Sequence, residues 1–354
     1  MEIAAIARRM HRTAISCKRV RENRQNAANQ CRNCTQNAQN GDFLQTRPKM
    51  KKSYHICFTS HEEVLFRDEE DHGMFVNLLA LRGFSMNVEI LADAEMSTHV
   101  HLNVFTECPA AFSGQLRSSY SRYFNHRWGR KGRFGEKGTF VMKVRGFHHQ
   151  MVLENYILRN GLHHGAAATA FGYKFCSSRE LFLKDICFST EKAANYSREE
   201  IASFLPRYSE FPDNYVMDSN GVFLRQSFME LRRAETYYGT PRNYLYQMNR
   251  LTDDNWIKDQ MNDDSTDAPI TLAMVEQSDE KSVATMLNNE YGRHFDHSRL
   301  QDMDVCRLID NDFLPALGVR SVYALSLSQK NRIARQLKYD FRLPDAQISR
   351  CLVL

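Results

Sequence analysis

Residues 98–106 read THVHLNVFT, and the alternation in this run decides the fold. Successive side chains of a strand point to opposite faces. Val100, Leu102 and Val104 therefore share one face, suited to a core, while His99, His101 and Asn103 share the other. On either side of this strand the chain continues in a regular order. Residues 54–59 (YHICFT) are β-branched and aromatic and predict a strand. Residues 68–81 carry Met74, Phe75, Leu78 and Leu79 at helical spacing. A second strand is expected over 84–91, a helix over 110–128, a glycine-rich basic loop (GRKGRFGEKG) over 129–138, a strand over 140–144 and a helix over 147–159 that stops near Gly161. The order β-α-β-β-α-β-α is that of the split βαβ, ferredoxin-like arrangement, an α+β fold on one antiparallel sheet. A mostly helical C-terminal region follows it.

The chain has 354 residues, 42% hydrophobic and 25% charged, which excludes a wholly disordered chain, a collagen-like fibre and a coiled-coil rod. No apolar run approaches the ~18 residues a membrane span needs. Nine scattered cysteines do not make a secreted disulfide framework, which predicts a reducing, cytoplasmic setting. The lone Cys31–Cys34 pair has no second pair at zinc-finger spacing. Residues 1–49 predict a disordered basic arm, since Asn and Gln supply ten of the twenty residues from 21 to 40. Met50, which opens directly onto a strand pattern, is an alternative start.

The net charge of +5 is strongly segregated. Residues 112–149 hold nine Lys or Arg against one acid, Glu136, whereas residues 251–312 hold five against fifteen and residues 313–354 seven against two. Two basic regions around an acidic one predict a polyanionic partner met at two places; clustering of ordinary surface charge is the alternative. In the first region Arg117, Arg122, Arg127, Arg130, Lys131 and Arg133 are candidate phosphate contacts. Tyr120, Tyr123, Phe124 and Trp128 are candidates either for stacking on bases or for core packing. In the tail, a helix over 326–341, a turn at Arg342-Leu343-Pro344 and a second helix over 345–352 have helix-turn-helix spacing. They predict either a DNA-binding element or a packing hairpin.

Two imidazoles at i and i+2 of a strand converge within reach of one metal ion, or simply occupy a half-exposed face. Tyr156 and Asn160 are four residues apart, on one face of a helix or of its last turn. Asn160 offers a carbonyl oxygen as a third ligand and Tyr156 a phenolic oxygen as a nucleophile; packing of the Tyr on the sheet is the alternative. His99, His101 and Asn160 would form a mixed nitrogen and oxygen site with open positions, suited to Mg²⁺ or Mn²⁺ holding a phosphate oxygen.

The run Ala94-Glu95-Met96-Ser97-Thr98-His99-Val100-His101-Leu102 resembles the His-hydrophobic-His (HUH) motif of the single-tyrosine transposases, the REP-associated tyrosine transposases and their insertion-sequence relatives. Tyr156-Ile157-Leu158-Arg159-Asn160-Gly161 looks like the catalytic-tyrosine helix of that family. Tyr54-His55-Ile56, with Phe66-Arg67-Asp68-Glu69-Glu70-Asp71 behind it, resembles its opening strand and first helix, and Tyr123-Phe124-Asn125 with the loop that follows matches its middle section. The likeness spans about residues 50–180. Ser97-Thr98 stands where the family usually has Pro-Asn, and Gly161 where it usually has Pro; neither change removes a ligand or the nucleophile.

The resemblance implies cleavage and rejoining of single-stranded DNA through a 5′-phosphotyrosine intermediate, with Tyr156 as nucleophile and a divalent ion on His99, His101 and Asn160. A free phenol ionises about 3 units above neutral pH, so activating it costs about 4 kcal/mol, a burden a cation beside the phosphate reduces. It also implies a hairpin-bearing DNA partner, a monomer or homodimer, and a bacterial-type, nucleoid-associated location. A domesticated DNA-binding protein on the same fold is the alternative, and a metal hydrolase using water as its nucleophile is a third reading.

Overall fold

The structure is a computed structural model that describes residues 50–60, 62–132, 134–135, 139–186, 196–249 and 300–354. The expected basic arm, Arg133 and most of the acidic region lie outside the described residues. Strands β1 (Lys52–Thr59), β2 (Glu89–Glu95), β3 (His99–Thr106) and β4 (Phe140–Lys143) form one sheet in the order β2-β3-β1-β4. All three pairings are antiparallel. Helices α1 (Glu69–Ser85), α2 (Pro109–Trp128) and α3 (Gly146–Leu158) complete the split βαβ order, and the rest of the described chain is mostly helical. The fold is thus α+β, as the alternation in β3 predicts.

Local chemistry sets the element ends. The Asp68 side chain accepts from the Asp71 N–H and caps α1, whose first turn carries Glu69, Glu70 and Asp71 against the positive helix end. Pro109 opens α2, and Gly129 at φ 66° closes it in the left-handed region. Sequence patterning places β2 over 84–91; the structure corrects this. Helix α1 runs on to Ser85, Asn87 turns the chain at φ 55°, and the strand begins at Glu89. The shift brings Asp93 and Glu95 into the strand, fully buried, where Arg225 bonds both at 2.7 and 2.9 Å.

Both faces of the sheet are covered. On one, Ile56, Phe58, Val100, Leu102 and Val104 pack with Phe75, Leu78 and Leu79 of α1 and Phe112, Leu116, Tyr120 and Phe124 of α2. Tyr120 and Phe124 are therefore core residues, 1% and 0% exposed, and not stacking platforms. On the other face α3 lies across the sheet, backed by α5 (Leu231–Tyr238) and α6 (Pro241–Asn249), after the short α4 (Asn160–His163). The histidine face of β3 is thus buried rather than half-exposed.

Residues 300–354 pack as one unit around Val305, Ile309, Ile333, Leu337, Ile348 and Leu352, with Val64 from the β1–α1 connection inside the same cluster. It contains α7 (Asp302–Leu308), α8 (Leu327–Asp340) and α9 (Asp345–Leu352). The expected tail helices are present, and α9 spends Ile348, Cys351 and Leu352 on packing. Arg67, fully buried, fastens this unit to the sheet domain: its Nε and Nη2 donate to Asp310 at 2.9 and 2.8 Å, and its Nη1 donates to the Cys351 carbonyl at 3.0 Å. Removing one partner of such a pair leaves an uncompensated charge. Arg67→Met is expected to lower stability by about 3–5 kcal/mol, measured by urea denaturation. A loss below about 1 kcal/mol would show that the unit is held by its apolar contacts alone.

Among the described residues no helix is long and apolar enough to cross a membrane. Cys57, Cys176, Cys306 and Cys351 are free and buried.

Candidate active site

The buried polar face of the sheet gathers the residues singled out above. In β3, His99 and His101 project toward α3, and the junction of α3 with α4 brings up Tyr156 and Asn160. The Asn160 Oδ1 lies 3.2 Å from His99 Nε2, and the Tyr156 hydroxyl lies 3.3 Å from His101 Nε2. Both Nε2 atoms therefore aim at the side occupied by the phenol and the amide. Asn160 begins a new helical turn rather than ending α3, because the chain bends at Arg159.

Burial controls the electrostatics. His101 titrates well below the ordinary histidine range, first because it is desolvated and then because His99, His55 and His164 surround it. Burial holds His55 down to about 3. His164, whose ring centroid is 4.6 Å from that of His99, is lowered by burial and then by His99 and His163. His101, His55 and His164 are thus neutral near pH 7, and a neutral imidazole keeps the one lone pair that metal ligation requires. Asn160 Nδ2 has no hydrogen-bond partner among the described residues, which leaves Oδ1 as the atom aimed at His99.

Among the described residues no three His, Cys, Asp or Glu side chains gather to hold a metal ion. An ion here would have two imidazole nitrogens and one amide oxygen from the protein, leaving its other positions to water and substrate. Imidazole nitrogens suit transition ions, whereas the amide oxygen and the open positions suit Mg²⁺ or Mn²⁺. Tyr156 and Asn160 are 0% exposed and His99 and His101 are 2% and 1% exposed, so the site is closed in this conformation. A cavity of about 760 Å³ lined by His72, Glu180 and Arg225 includes none of these residues.

Sequence reasoning passes over several neighbours. His55 sits on the same face, opposite Asn103, with Nε2 at 2.9 Å from His101 Nδ1. The polar positions Ser53 and His55 within an otherwise apolar strand were the available signal. His164 had none, since its contact depends on the turn after α4. Behind the site Glu154 accepts from Asn103 Nδ2 at 3.2 Å and from Gln150 Nε2 at 3.1 Å. Desolvation holds its carboxyl well above the usual range, against the lowering effect of those two hydrogen bonds.

The basic segment is placed differently from expectation. Arg117 is buried, and its Nε and Nη2 donate to the Phe134 and Gly135 carbonyls at 2.7 and 2.6 Å, so it braces the loop and does not face DNA. Arg127 bonds Asp68, Glu70 and Asp71 at 2.6, 2.8 and 2.5 Å. Arg130 donates from Nε to both Glu63 oxygens at 2.8 and 2.9 Å. Arg127 and Arg130 are structural because acids distant in sequence meet them, and Arg117 because loop carbonyls do. Arg122 and Lys131 are exposed. On the other side of the molecule an open groove of about 790 Å³ is lined by Lys52, Lys143, Arg145, Phe147 and Tyr237, among others, and by no carboxylate residue. Phe147 is 60% exposed, and its ring lies 5.6 Å from that of Tyr237.

No family model matches the chain, and neither does any curated protein. Among solved structures, a REP-associated tyrosine transposase bound to a REP hairpin is similar over 45% of this chain and 96% of its own, at 12% identity and a TM-score of 0.32. A likeness of that size leaves the case to the side chains.

Proposed function

We propose that this chain is a metal-dependent, single-tyrosine DNA strand transferase of the HUH transposase type, acting on single-stranded DNA. The observation that supports it is the meeting of the Tyr156 hydroxyl with His101 at 3.3 Å beside the His99–Asn160 contact at 3.2 Å. A phenol, two imidazoles and an amide oxygen come from elements some fifty residues apart. Such a set suits attack on a phosphodiester better than it suits packing.

In this reading the Tyr156 oxygen attacks phosphorus and the bond to the 3′ oxygen breaks. The downstream strand is then held as a 5′-phosphotyrosine, and the upstream strand leaves with a 3′-OH. The phosphodiester energy is kept in the tyrosine link, so a 3′-OH can reverse the step. A bound Mg²⁺ or Mn²⁺ would polarise the phosphate oxygens; His99, His101 and Asn160 would hold it. Glu154 with Asn103 stiffens the sheet face behind the site. The closed site must open to admit a strand. The catalytic unit would span residues 50–185, with 300–354 as a docked helical unit.

A second reading, a non-catalytic DNA-binding protein on this fold, is favoured by the complete burial of Tyr156. A covalent-adduct gel with single-stranded DNA and Mn²⁺ separates the two: the transferase forms a protein-linked strand, and the binding protein forms none.

The groove beside Phe147, lined by Lys52 and Lys143 and by no carboxylate residue, is the path this reading gives the strand. Each phosphate neutralised contributes about −0.7 to the slope of log K against log salt on single strands. Lys52→Ala with Lys143→Ala is expected to make that slope shallower by about 1.4 in fluorescence anisotropy titrations. Arg130→Ala should leave the slope unchanged. The reverse outcome would move the strand to the α2 side.

A further inference from the structure

We propose that His55 is a positioning residue for His101, favouring the tautomer that aims the His101 Nε2 lone pair at the ligand gap, the side of the site that Tyr156 and Asn160 face. The proposal rests on the metal-dependent reading of the site. Strand pairing sets the contact: Cys57 lies opposite His101 and His55 opposite Asn103, so the two imidazoles are diagonal neighbours on one face. His55 Nε2 and His101 Nδ1 are 2.9 Å apart, and Phe140 packs edge-on against the far side of the His55 ring with centroids 5.6 Å apart.

Two neutral imidazoles share one proton across that contact. With the proton on His101 Nδ1, the His101 Nε2 carries a bare lone pair facing the phenol and the ligand gap. With it on His55 Nε2, the His101 proton must sit on Nε2, and His101 cannot ligate a cation. His55 therefore selects the ligating state when it presents Nε2 as an acceptor and keeps its own proton on Nδ1. That Nδ1 atom is buried and has no hydrogen-bond partner among the described residues. Nothing there locks His55 in the opposite tautomer, so a cation in the gap can draw the pair into the ligating one. Metal-bound histidines regularly donate their second ring N–H to a fixed acceptor, usually a carboxylate or a backbone carbonyl; here the acceptor is another imidazole.

The test compares His55→Phe with His55→Gln in the full chain, reading Mn²⁺ affinity by electron paramagnetic resonance titration. Phe keeps the ring and its packing but has no acceptor, whereas Gln loses the ring and keeps an acceptor oxygen. Loss of such a second partner weakens metal binding about ten- to a hundredfold, so Phe is expected to fall by that amount and Gln to retain most of the affinity. NMR of the ring nitrogens in the Mg²⁺-loaded protein should show His101 protonated at Nδ1 in the wild type and the Gln variant, and mixed tautomers in the Phe variant. A packing role reverses the order, with Phe binding as the wild type does and Gln weaker, and that result overturns the proposal while leaving the metal reading intact. A wild-type protein with no Mn²⁺ affinity overturns both; the Tyr156 adduct, read separately, reports on the nucleophile alone.

Discussion

Replacing Tyr156 with Phe is expected to remove the covalent protein–DNA species entirely while leaving the fold and DNA binding in place. The ring stays packed among Leu153, Ile157 and Ala94, and only the hydroxyl that lies 3.3 Å from His101 Nε2 is lost. One such hydrogen bond contributes about 0.5–1.5 kcal/mol, too little to unfold the protein. The kinetic effect is of another size, because loss of a dedicated nucleophile reduces turnover by roughly 10⁶-fold. A denaturing gel with oligonucleotides labelled at one end or the other reads the result. The strand labelled at its 3′ end should migrate with the wild-type protein and not with the variant. Cleavage that persists in Tyr156→Phe would mean that water is the nucleophile and that the site is a hydrolase.

Loss of either ligand histidine is expected to be nearly as severe. Cation stabilisation of several kcal/mol in the transition state corresponds to about 10³-fold in rate, so His99→Ala and His101→Ala should each reduce cleavage with Mg²⁺ or Mn²⁺ by at least about that factor. Asn160→Ala should cost less, since water can replace one oxygen ligand. Both imidazoles are buried, so Ala opens a small cavity, and circular dichroism should show the fold retained. Cleavage in excess EDTA, or a histidine variant with wild-type rates, would remove the metal from the account.

How much of this was legible in the sequence follows from the range of the interactions involved. The alternation of β3 needs only nearest neighbours, so the core face through Val100, Leu102 and Val104 and the histidine face opposite it could be read directly. Strand β2 could not, because Asp93 and Glu95 look unlike strand residues until Arg225, more than a hundred residues later, meets them. The same physics misleads about the basic segment. Arg127 and Arg130 read as free charges, but Asp68, Asp71 and Glu63 occupy them from some sixty residues earlier. Charge counts along a chain cannot distinguish an arginine that braces a loop from one that meets a phosphate. The site was legible in its motifs, HVH and YxxxN. His55 and His164 were not, since strand register and the turn after α4 bring them in.

The central claim is that Tyr156 takes up the DNA strand. Tandem mass spectrometry of the adduct formed with Mn²⁺ and single-stranded DNA, after nuclease and protease digestion, tests it most directly. A single nucleotide joined through its 5′ phosphate to Tyr156, in the peptide that contains Asn155 and Ile157, is the predicted result. A nucleotide on any other residue, or no adduct from DNA that is nonetheless cleaved, would contradict the account.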